Sequence, residues 1–286
     1  MNIEPKTLYI VGTPIGNLED ITFRAVEVLR MVDIIAAEDT RHTGKLLAHF
    51  QIQTPQISYH EHNSSSRIPQ LVLEIENGKS LALVSDAGMP GISDPGYELI
   101  KSCVESNIKV VPIPGVTAAI TALSASGLPT DKFVFEGFLP TKLQQRREYL
   151  ELFKAEPRTI IFYESPHRLR ETLQDLAEVL GEQRLCVVSR ELTKIYEEFW
   201  RGCLGEAVSY YQTKQPQGEY TLVVAGCPPT QPQLTPDQLK AELQALIEQG
   251  ISRSQASRQL AKITSIPRRQ LYQLALEIND INNTNE

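Results

Sequence analysis

Leu83-Val84-Ser85-Asp86-Ala87-Gly88-Met89-Pro90-Gly91-Ile92-Ser93-Asp94-Pro95-Gly96-Tyr97 is the stretch on which the fold prediction rests. The apolar run Leu81–Val84 leads into it as a buried strand would, and a helix is predicted from Glu98 onward. Its glycines and prolines favour unusual backbone angles and let another group come close. A plain strand-to-helix turn is the alternative, but it needs far fewer residues. The spare residues indicate a ligand site at the carboxyl end of a strand, with Asp86 and Asp94 as acceptors of its hydroxyl or amine protons.

Length and composition are those of a globular protein. The 286 residues, 41% hydrophobic and 22% charged, are enough for two domains with an appendage. A net charge of −7 means that a nucleic-acid partner needs a local basic face. The four cysteines are scattered, which suits neither a zinc site nor a disulfide framework and favours a reducing cytoplasm. No apolar run predicts a membrane span, and the polar N-terminus has no signal-peptide pattern.

The first loop follows a predicted strand, Leu8–Val11, and runs from Gly12 to Asp20. It lacks the Lys-Ser or Lys-Thr pair of a phosphate-binding loop and the G-x-G-x-x-G spacing of a dinucleotide site. Pro14 also removes a backbone donor. The loop therefore argues against a nucleoside triphosphate or NAD.

Two further polar segments are open to more than one interpretation. Glu38–His42 follows the predicted strand Ile34–Ala37 and is either a solvated loop or the rim of a site. His60-Glu61-His62-Asn63 has two histidines, but a metal site needs three or four ligands and the other histidines are scattered. A polar loop facing a substrate is preferred to a metal site, and a plain loop is the alternative.

The segment Pro114–Thr117 follows another predicted strand and precedes a helix, Ala118–Ser126. Thr117 is predicted to cap that helix, and Gly127 to end it in the left-handed conformation. The small side chains of the helix allow close packing either of a ligand near its start or of the helix on a sheet.

In the second half, two predicted strands end in charged clusters, Glu164–Arg168 and Ser189–Lys194. They are expected to form the opposite wall of a cleft, and structural ion pairs are the alternative. Arg146 and Arg147 form a basic patch on a predicted helix. A solvated helix face is preferred there to an RNA contact.

Seven motifs, in this order along the chain, carry a family resemblance. They are Gly12–Leu18, Ala37–Arg41, Ser85–Gly96, Pro114–Ala119, Tyr163–Arg168, Ser189–Lys194 and Gly218–Leu222. Together they resemble the tetrapyrrole-methylase superfamily of S-adenosylmethionine (SAM) enzymes, over about residues 6–226, and within it the branch that methylates a cytidine 2′-hydroxyl in 16S rRNA. Thr13–Gly16 replaces the glycine-rich first loop that superfamily members often carry, and Asn17 stands in place of its acid. This departure favours the RNA branch over corrin methylation and leaves the role of the first loop open.

The resemblance implies an α/β fold of two α/β domains, residues 1–114 and 115–228, with SAM in the cleft between them, and a homodimer. Carried onto this sequence, the cofactor contacts are Ile15, Asp86, Gly88, Ile92, Thr117, Ala118, Tyr163 and Tyr220.

The C-terminal segment is predicted to be a separate unit. Residues 229–234 are a proline-rich linker, and residues 235–286 form a helical tail with a helix-turn-helix pattern. No acidic residue stands between Gly250 and Leu276. The basic residues there are Arg253, Arg258, Lys262, Arg268 and Arg269. Phosphate contact is the preferred interpretation, and a soluble surface on a dimerising tail is the alternative.

The predicted reaction is methyl transfer from SAM to the ribose 2′-hydroxyl of a cytidine in the 16S rRNA of the small ribosomal subunit, with no metal. A base should assist because the hydroxyl is a poor nucleophile while protonated. The candidates are His60, Glu61, Glu164, Glu191 and, if burial lowers its pKa, Lys194. Glu61 and Lys194 are preferred. Arg41, Arg168 and Arg190 are the candidates for RNA contacts.

Two alternatives remain for the function. A methyltransferase acting on tetrapyrroles or precorrins would share the fold but would not need a basic helical tail. A non-catalytic ribosome-assembly protein that binds RNA would not need the Asp86–Gly96 loop.

Overall fold

Five parallel strands form the first sheet in this computed structural model, which describes residues 2–228, 234–264 and 266–278. The strands are β1 (Thr7–Val11), β2 (Ile34–Ala37), β3 (Gln56–Ser58), β4 (Leu81–Val84) and β5 (Lys109–Ile113). Their order is β3-β2-β4-β1-β5. Strand β4, which leads into the Ser85–Gly96 loop, is therefore central, and Leu83 pairs with Ile10 of β1 and Ala36 of β2.

Helices cover both faces of this sheet, as a parallel sheet requires. They are α1 (Phe23–Met31), α2 (Thr40–His49), α3 (Ser64–Glu76) and α4 (Tyr97–Glu105). Alternate residues of β1 point to opposite cores, Tyr9 and Val11 to one and Leu8 and Ile10 to the other. Helices α1 and α2 contribute to the first core, and α3 and α4 to the second.

A second, mixed sheet is formed by residues 133–224. Its strands are β6 (Phe133–Phe138), β7 (Thr159–Glu164), β8 (Leu185–Arg190), β9 (Glu198–Cys203) and β10 (Tyr220–Val224). The order is β6-β7-β10-β8-β9. Strands β6 and β7 are parallel, and the other pairs are antiparallel.

Four helices pack on the second sheet. They are α5 (Ala118–Ser126), α6 (Leu143–Glu151), α7 (Leu169–Leu180) and α8 (Leu204–Thr213). Helix α5 alone lies on one face, where buried Ala119 and Ala122 contact the sheet, so its small residues do serve helix-on-sheet packing. Its predicted ends are confirmed, because Thr117 accepts the Ile120 N–H and Gly127 has φ +80°.

The interpretation of Arg146 as part of a solvated helix face is wrong, and so is the RNA-contact alternative. Only 1% of its side chain is exposed, and its Nε donates to Oδ2 of buried Asp175 at 2.6 Å. Arg147 lies at the surface and donates to the other oxygen of Asp175 at 2.7 Å. The sequence shows two adjacent arginines but not the carboxylate that buries one of them.

The tail is a second compact unit, residues 228–286, separate from the unit formed by residues 1–227. Its helices are α9 (Pro236–Glu248), α10 (Arg253–Ile263) and α11 (Arg268–Leu276). Leu243, Leu260 and Leu271 lie in their shared core, and Thr235 caps α9 as predicted. The predicted linker, 229–234, lies outside the described residues except for Leu234, as does the chain from residue 279.

The prediction of an α/β fold with two sheets, each covered by helices, followed by a helical unit is confirmed. The division of the larger unit between residues 114 and 115 stays a prediction. Among the described residues, no helix has the length and apolar character that crossing a membrane requires.

Candidate active site

The loops that follow β1, β2, β4 and β5 meet at one edge of the first sheet, because the carboxyl ends of parallel strands share an edge. The first loop and the Ser85–Gly96 loop pair through their backbones. Thr13 N–H donates to Gly88 C=O at 2.9 Å, and Gly88 N–H donates to Thr13 C=O at 3.0 Å. The Thr13 hydroxyl also donates to Ser85 C=O at 3.0 Å. The first loop thus has a structural role, because it fixes the position of the Ser85–Gly96 loop.

The close approach of Gly12 and Gly115 gives a structural reason for a glycine in the first loop. A Cβ on Gly115 would lie 2.8 Å from Gly12 Cα, and a Cβ on Gly12 would lie 2.7 Å from Gly115 Cα. The two backbones are therefore in contact, and a side chain at either position would separate the loops after β1 and β5.

A cavity of about 340 Å³ opens between these loops and the second sheet. We call it the Tyr163 cavity. The first sheet's loops contribute Ile15, Ala87–Met89 and Ile92–Asp94, and the rest of the lining comes from Thr117, Ala118, Phe138, Tyr163–Pro166 and Glu219–Thr221. Seven of the eight residues predicted to contact the cofactor line it, namely Ile15, Gly88, Ile92, Thr117, Ala118, Tyr163 and Tyr220.

Tyr163 fixes one wall of this cavity. Ala119 N–H, at the start of α5, donates to its hydroxyl oxygen at 3.2 Å. Phe135 and Phe138 pack edge-on against its ring, with centroids 4.9 and 5.7 Å away. Burial raises the pKa of Tyr163, so the hydroxyl stays protonated. The wall is a neutral aromatic surface beside the half-buried Ala118, which leaves room for a flat group.

Asp86 is the predicted cofactor contact that lies outside the Tyr163 cavity. It lines a neighbouring cavity of about 400 Å³ with Pro14, His42, Lys45 and Lys194. Its Oδ1 accepts the Asp39 N–H at 3.2 Å, and its own N–H donates to Glu38 Oε2 at 3.2 Å. Asp86 therefore ties the loop after β4 to the loop after β2.

A third and more polar cavity, of about 550 Å³, lies against the second half of the Ser85–Gly96 loop. We call it the His60 cavity. It is lined by Glu38, Tyr59–His62, Ser64 and Ser93–Glu98. His60 N–H donates to Asn63 Oδ1 at 2.9 Å, which fixes the loop after β3. His60, Glu61 and His62 thus line a cavity, and the interpretation of this loop as one that faces a substrate stays a prediction.

Residues 7–208 match the family Tetrapyrrole (Corrin/Porphyrin) Methylases. Ribosomal RNA small subunit methyltransferase I of Synechocystis sp. is 58% identical over 95% of this chain and 98% of that protein. The protein of the same name from Halalkalibacterium halodurans is 48% identical over 94% of each chain. The chain belongs to the tetrapyrrole methylase family, in the ribosomal RNA small subunit methyltransferase I group. The family prediction made from the seven motifs is thereby confirmed.

Two further matches agree with this tetrapyrrole methylase assignment. Residues 233–279 match the RsmI C-terminal HTH domain. The crystal structure of uroporphyrin-III C-methyltransferase from Thermus thermophilus, complexed with S-adenosylhomocysteine, covers 76% of this chain and 96% of its own with a TM-score of 0.54. At 17% sequence identity this match shows the fold alone.

Within this tetrapyrrole methylase, two of the predicted bases are held in internal contacts. Glu164 is buried, and its carboxylate accepts hydrogen bonds from Ser165 N–H at 2.7 Å, Thr172 Oγ1 at 2.6 Å and Arg168 Nη2 at 2.9 Å. Glu191 accepts from Lys194 Nζ and from Glu219 N–H, both at 2.9 Å. Burial acts to raise the pKa of Glu191, but these hydrogen bonds outweigh it and lower the pKa.

The condition under which Lys194 would act as a base is not met. Burial alone would lower its pKa, but Nζ donates to Glu219 Oε2 at 2.8 Å and to Glu191 Oε1 at 2.9 Å. These two carboxylates outweigh burial and raise the pKa, so Lys194 remains a cation. The sequence shows Glu191 close by but gives no sign that Glu219 is also adjacent.

The three arginines predicted to contact RNA differ in exposure. Arg41 has 89% of its side chain exposed and, within the described part of the chain, forms its ion pair with the nearby Asp39. Arg168 Nη2 donates to Leu139 C=O at 2.8 Å as well as to Glu164, and Arg190 Nε donates to Gln217 C=O at 2.7 Å. Arg168 and Arg190 thus brace the second sheet, and Arg41 is the one that faces solvent.

The basic residues of the tail are mostly exposed. Arg258, Lys262 and Arg269 lie at the surface of α10 and α11. Arg268, also exposed, donates to Ser254 Oγ at 2.9 Å, and half-buried Arg253 donates to Ile278 C=O at 2.7 Å. Four of the five predicted tail cations are therefore exposed, and Arg253 is the least exposed of them; their contact with RNA stays a prediction.

Proposed function

We propose that this chain transfers a methyl group from SAM to the ribose 2′-hydroxyl of a cytidine in 16S rRNA. The observation that carries the proposal is the Tyr163 cavity, where seven residues chosen as cofactor contacts from the sequence come together from both sheets. The two relatives named as ribosomal RNA methyltransferases, at 48–58% identity over nearly the whole chain, support the rRNA substrate.

The residues of the Tyr163 cavity fit SAM. The neutral ring of Tyr163 and the small Ala118 suit an adenine, and the carboxylate of Asp94 suits a neighbouring sulfonium. SAM supplies an electrophilic methyl group that needs no metal. The chain's own contribution is to hold donor and acceptor in line, which is worth about 7–11 kcal/mol when the geometry is correct.

We further propose that the exposed tail cations and Arg41 contact rRNA phosphates, that the protein is a homodimer, and that it acts in the cytoplasm. The tail proposal rests on four exposed cations of α10 and α11, which are Arg258, Lys262, Arg268 and Arg269. No acidic residue stands between Gly250 and Leu276 to offset their charge. A run of exposed cations without acidic residues, in a chain of net charge −7, is typical of a surface that binds nucleic acid.

Ala118→Leu should weaken SAM binding at least tenfold, because the larger side chain fills the Tyr163 cavity beside Tyr163. Isothermal titration calorimetry with SAM gives the affinity. Ala125→Leu is the matched control, since Ala125 lies exposed near the other end of α5 and outside the described cavities, and it should bind as the unmodified chain does. Equal affinities for the two variants would place the cofactor elsewhere.

Removing residues 230–286 should leave SAM affinity within about threefold of the full chain and weaken binding to small ribosomal subunits. The tail is a compact unit of its own, and the residues lining the Tyr163 cavity all precede it. Calorimetry measures SAM, and filter binding at two salt concentrations measures the subunits. Loss of SAM binding on truncation would show that the tail belongs to the cofactor site.

The decisive experiment is methyl transfer from labelled SAM to small subunits that lack the modification, followed by nuclease mapping. Label in a single 2′-O-methylcytidine is the expected result. Absence of label with SAM binding retained would redirect the search for an acceptor to tetrapyrroles or other RNAs.

A further inference from the structure

The Tyr163 cavity and the His60 cavity meet at two residues. Among the described residues, Ser93 and Asp94 are the ones that line both. The Tyr163 cavity is the less polar of the two and suits the cofactor, and the His60 cavity is more polar and has two histidines and Tyr97 on its walls. A half-buried carboxylate therefore stands at the boundary between a methyl-donor site and a polar space next to it.

The other carboxylates of the Tyr163 cavity are already engaged. Glu164 accepts three hydrogen bonds and is buried, and Glu219 pairs with Lys194. Asp94 forms no ion pair with any described residue. Asp94 accepts a hydrogen bond from the Ser85 hydroxyl but, among the described residues of this cavity, it is the carboxylate with no cation beside it, so it can still accept from a substrate hydroxyl.

The backbone holds Asp94 in place at some conformational cost. Ser93, just before it, has φ +60°, in the left-handed region that a serine seldom adopts. A Cβ on Gly137 would lie 2.9 Å from Ser93 Oγ, so the backbone of β6 in the second sheet lies close to this turn. A Cβ on Gly96 would lie 2.8 Å from Gly91 N, so the loop backbone is in close contact with itself on the two sides of Asp94. Strain of this kind is typical of residues held in place for function.

The geometry points to Asp94 as the catalytic base, with the acceptor nucleoside bound in the His60 cavity. This inference rests on the proposed methyl transfer. In the step, the 2′-hydroxyl oxygen forms a bond to the methyl carbon, and the S–CH₃ electron pair stays on sulfur. The O–H bond breaks, and its proton moves to a carboxylate oxygen of Asp94. The products are a 2′-O-methyl ribose, a thioether and a protonated Asp94, which returns its proton to water.

The charges around Asp94 suit this role. The groups that face it from the neighbouring elements are Glu38, His60, Glu61, His62, Asp86, Glu98, Tyr163 and Glu219. Burial raises the pKa of Asp94 to about 7, and the negative charges of Glu38, Asp86 and Glu219 add to the rise, against a smaller opposing effect of the Ser85 hydroxyl. A base whose pKa lies near neutral pH is partly deprotonated at that pH and is still basic enough to accept the proton.

Asp94→Asn should lower the rate of methyl transfer by about 10²–10⁴-fold at saturating SAM and subunits. Asp94→Glu should recover part of the rate, since it restores a carboxylate. Glu105→Gln removes an exposed carboxylate of α4 outside the described cavities and should be fully active. At limiting SAM, kcat/KM of the unmodified chain should fall tenfold per pH unit below about pH 7, because kcat/KM reports the cofactor-free protein, and Glu38→Gln should move that limb to lower pH by removing a charge that raises the pKa of Asp94.

A second readout does not depend on turnover. If Asp94 lies beside the reacting centre, its charge should favour the sulfonium of SAM over the neutral sulfur of S-adenosylhomocysteine. The ratio of the two affinities, measured by calorimetry, should rise about tenfold from pH 6 to pH 8 in the unmodified chain, because an adjacent opposite charge stabilises a carboxylate by at least that factor. The ratio should be flat in Asp94→Asn.

The outcomes separate this inference from the proposed function. If neither the unmodified chain nor Glu105→Gln labels small subunits, the proposed function fails. If both are active and Asp94→Asn keeps more than a third of their rate with the same acid limb, Asp94 is not the base. A slow Asp94→Asn variant whose affinity ratio still rises with pH would also overturn the assignment, since Asp94 would then act on structure alone.

Discussion

Replacing Arg146 by methionine is expected to lower the free energy of unfolding by about 3–5 kcal/mol. The Arg146 guanidinium lies beneath the surface against Asp175, a carboxylate with only 2% of its side chain exposed. Methionine fills much of the same volume but leaves that buried charge with Arg147 as its remaining ion-pair partner. Urea unfolding followed by fluorescence of Trp200, the single tryptophan and a residue of β9, reports on the second sheet directly.

Arg147→Met is the matched control. It removes a guanidinium from the same helix and the same carboxylate, but from the solvent side, so the loss should stay below about 1 kcal/mol. The double variant Arg146→Met/Asp175→Leu should recover most of the stability, because no unpaired buried charge remains. Equal losses in the two single variants would mean that burial of Arg146 adds nothing to the energy of this pair.

Gly115→Ala is expected to destabilise the chain by about 1–3 kcal/mol and to weaken SAM binding more than tenfold. The new methyl group would lie 2.8 Å from Gly12 Cα and 3.0 Å from Gly12 C. These backbone atoms can move away only if the end of β1 or β5 shifts. The loops after β1 and β5 carry Ile15 and Thr117, so their separation distorts the Tyr163 cavity. Thermal melting and calorimetry with SAM measure the two effects.

Gly44→Ala provides the comparison for this glycine. Gly44 lies within α2, where a Cβ would meet only Gln56 Nε2 at 3.6 Å, an ordinary contact. Alanine should therefore stabilise the helix by roughly 0.5–1 kcal/mol and leave SAM affinity unchanged. A Gly115→Ala variant that behaves like Gly44→Ala would show that the contact between Gly12 and Gly115 can relax without cost.

Local rules account for the parts of the fold that the sequence predicted well. The cap at Thr117, the left-handed Gly127 and the cap at Thr235 each depend on residues within four positions, and each is found where it was expected. The Ser85–Gly96 loop follows the same logic, since Gly88 and Gly91 have positive φ values as their residue type suggests. The family motifs added what local rules cannot supply, namely that two sheets share one cavity.

Long-range partners account for the failures. The burial of Arg146 depends on Asp175, and the raised pKa of Lys194 depends on Glu219, in each case a carboxylate more than twenty residues away. Asp86 and Asp94 look alike in the sequence, yet the first ties two loops together and the second stands between two cavities. Nothing in the residues between them reveals which carboxylate keeps its oxygens available.

The two sheets are built from consecutive, non-interleaved parts of the chain: every strand of the first ends by Ile113, and those of the second begin at Phe133. During synthesis the first sheet is complete before the second has begun, and at about 5–20 residues per second the last strand, β10, is made only after a further 5–20 seconds or so. Over that interval the loops after β1, β4 and β5 have no opposite wall. The Tyr163 cavity of a nascent chain therefore forms late, and a cofactor that binds there can act as a ligand only for chains in which β10 has been made.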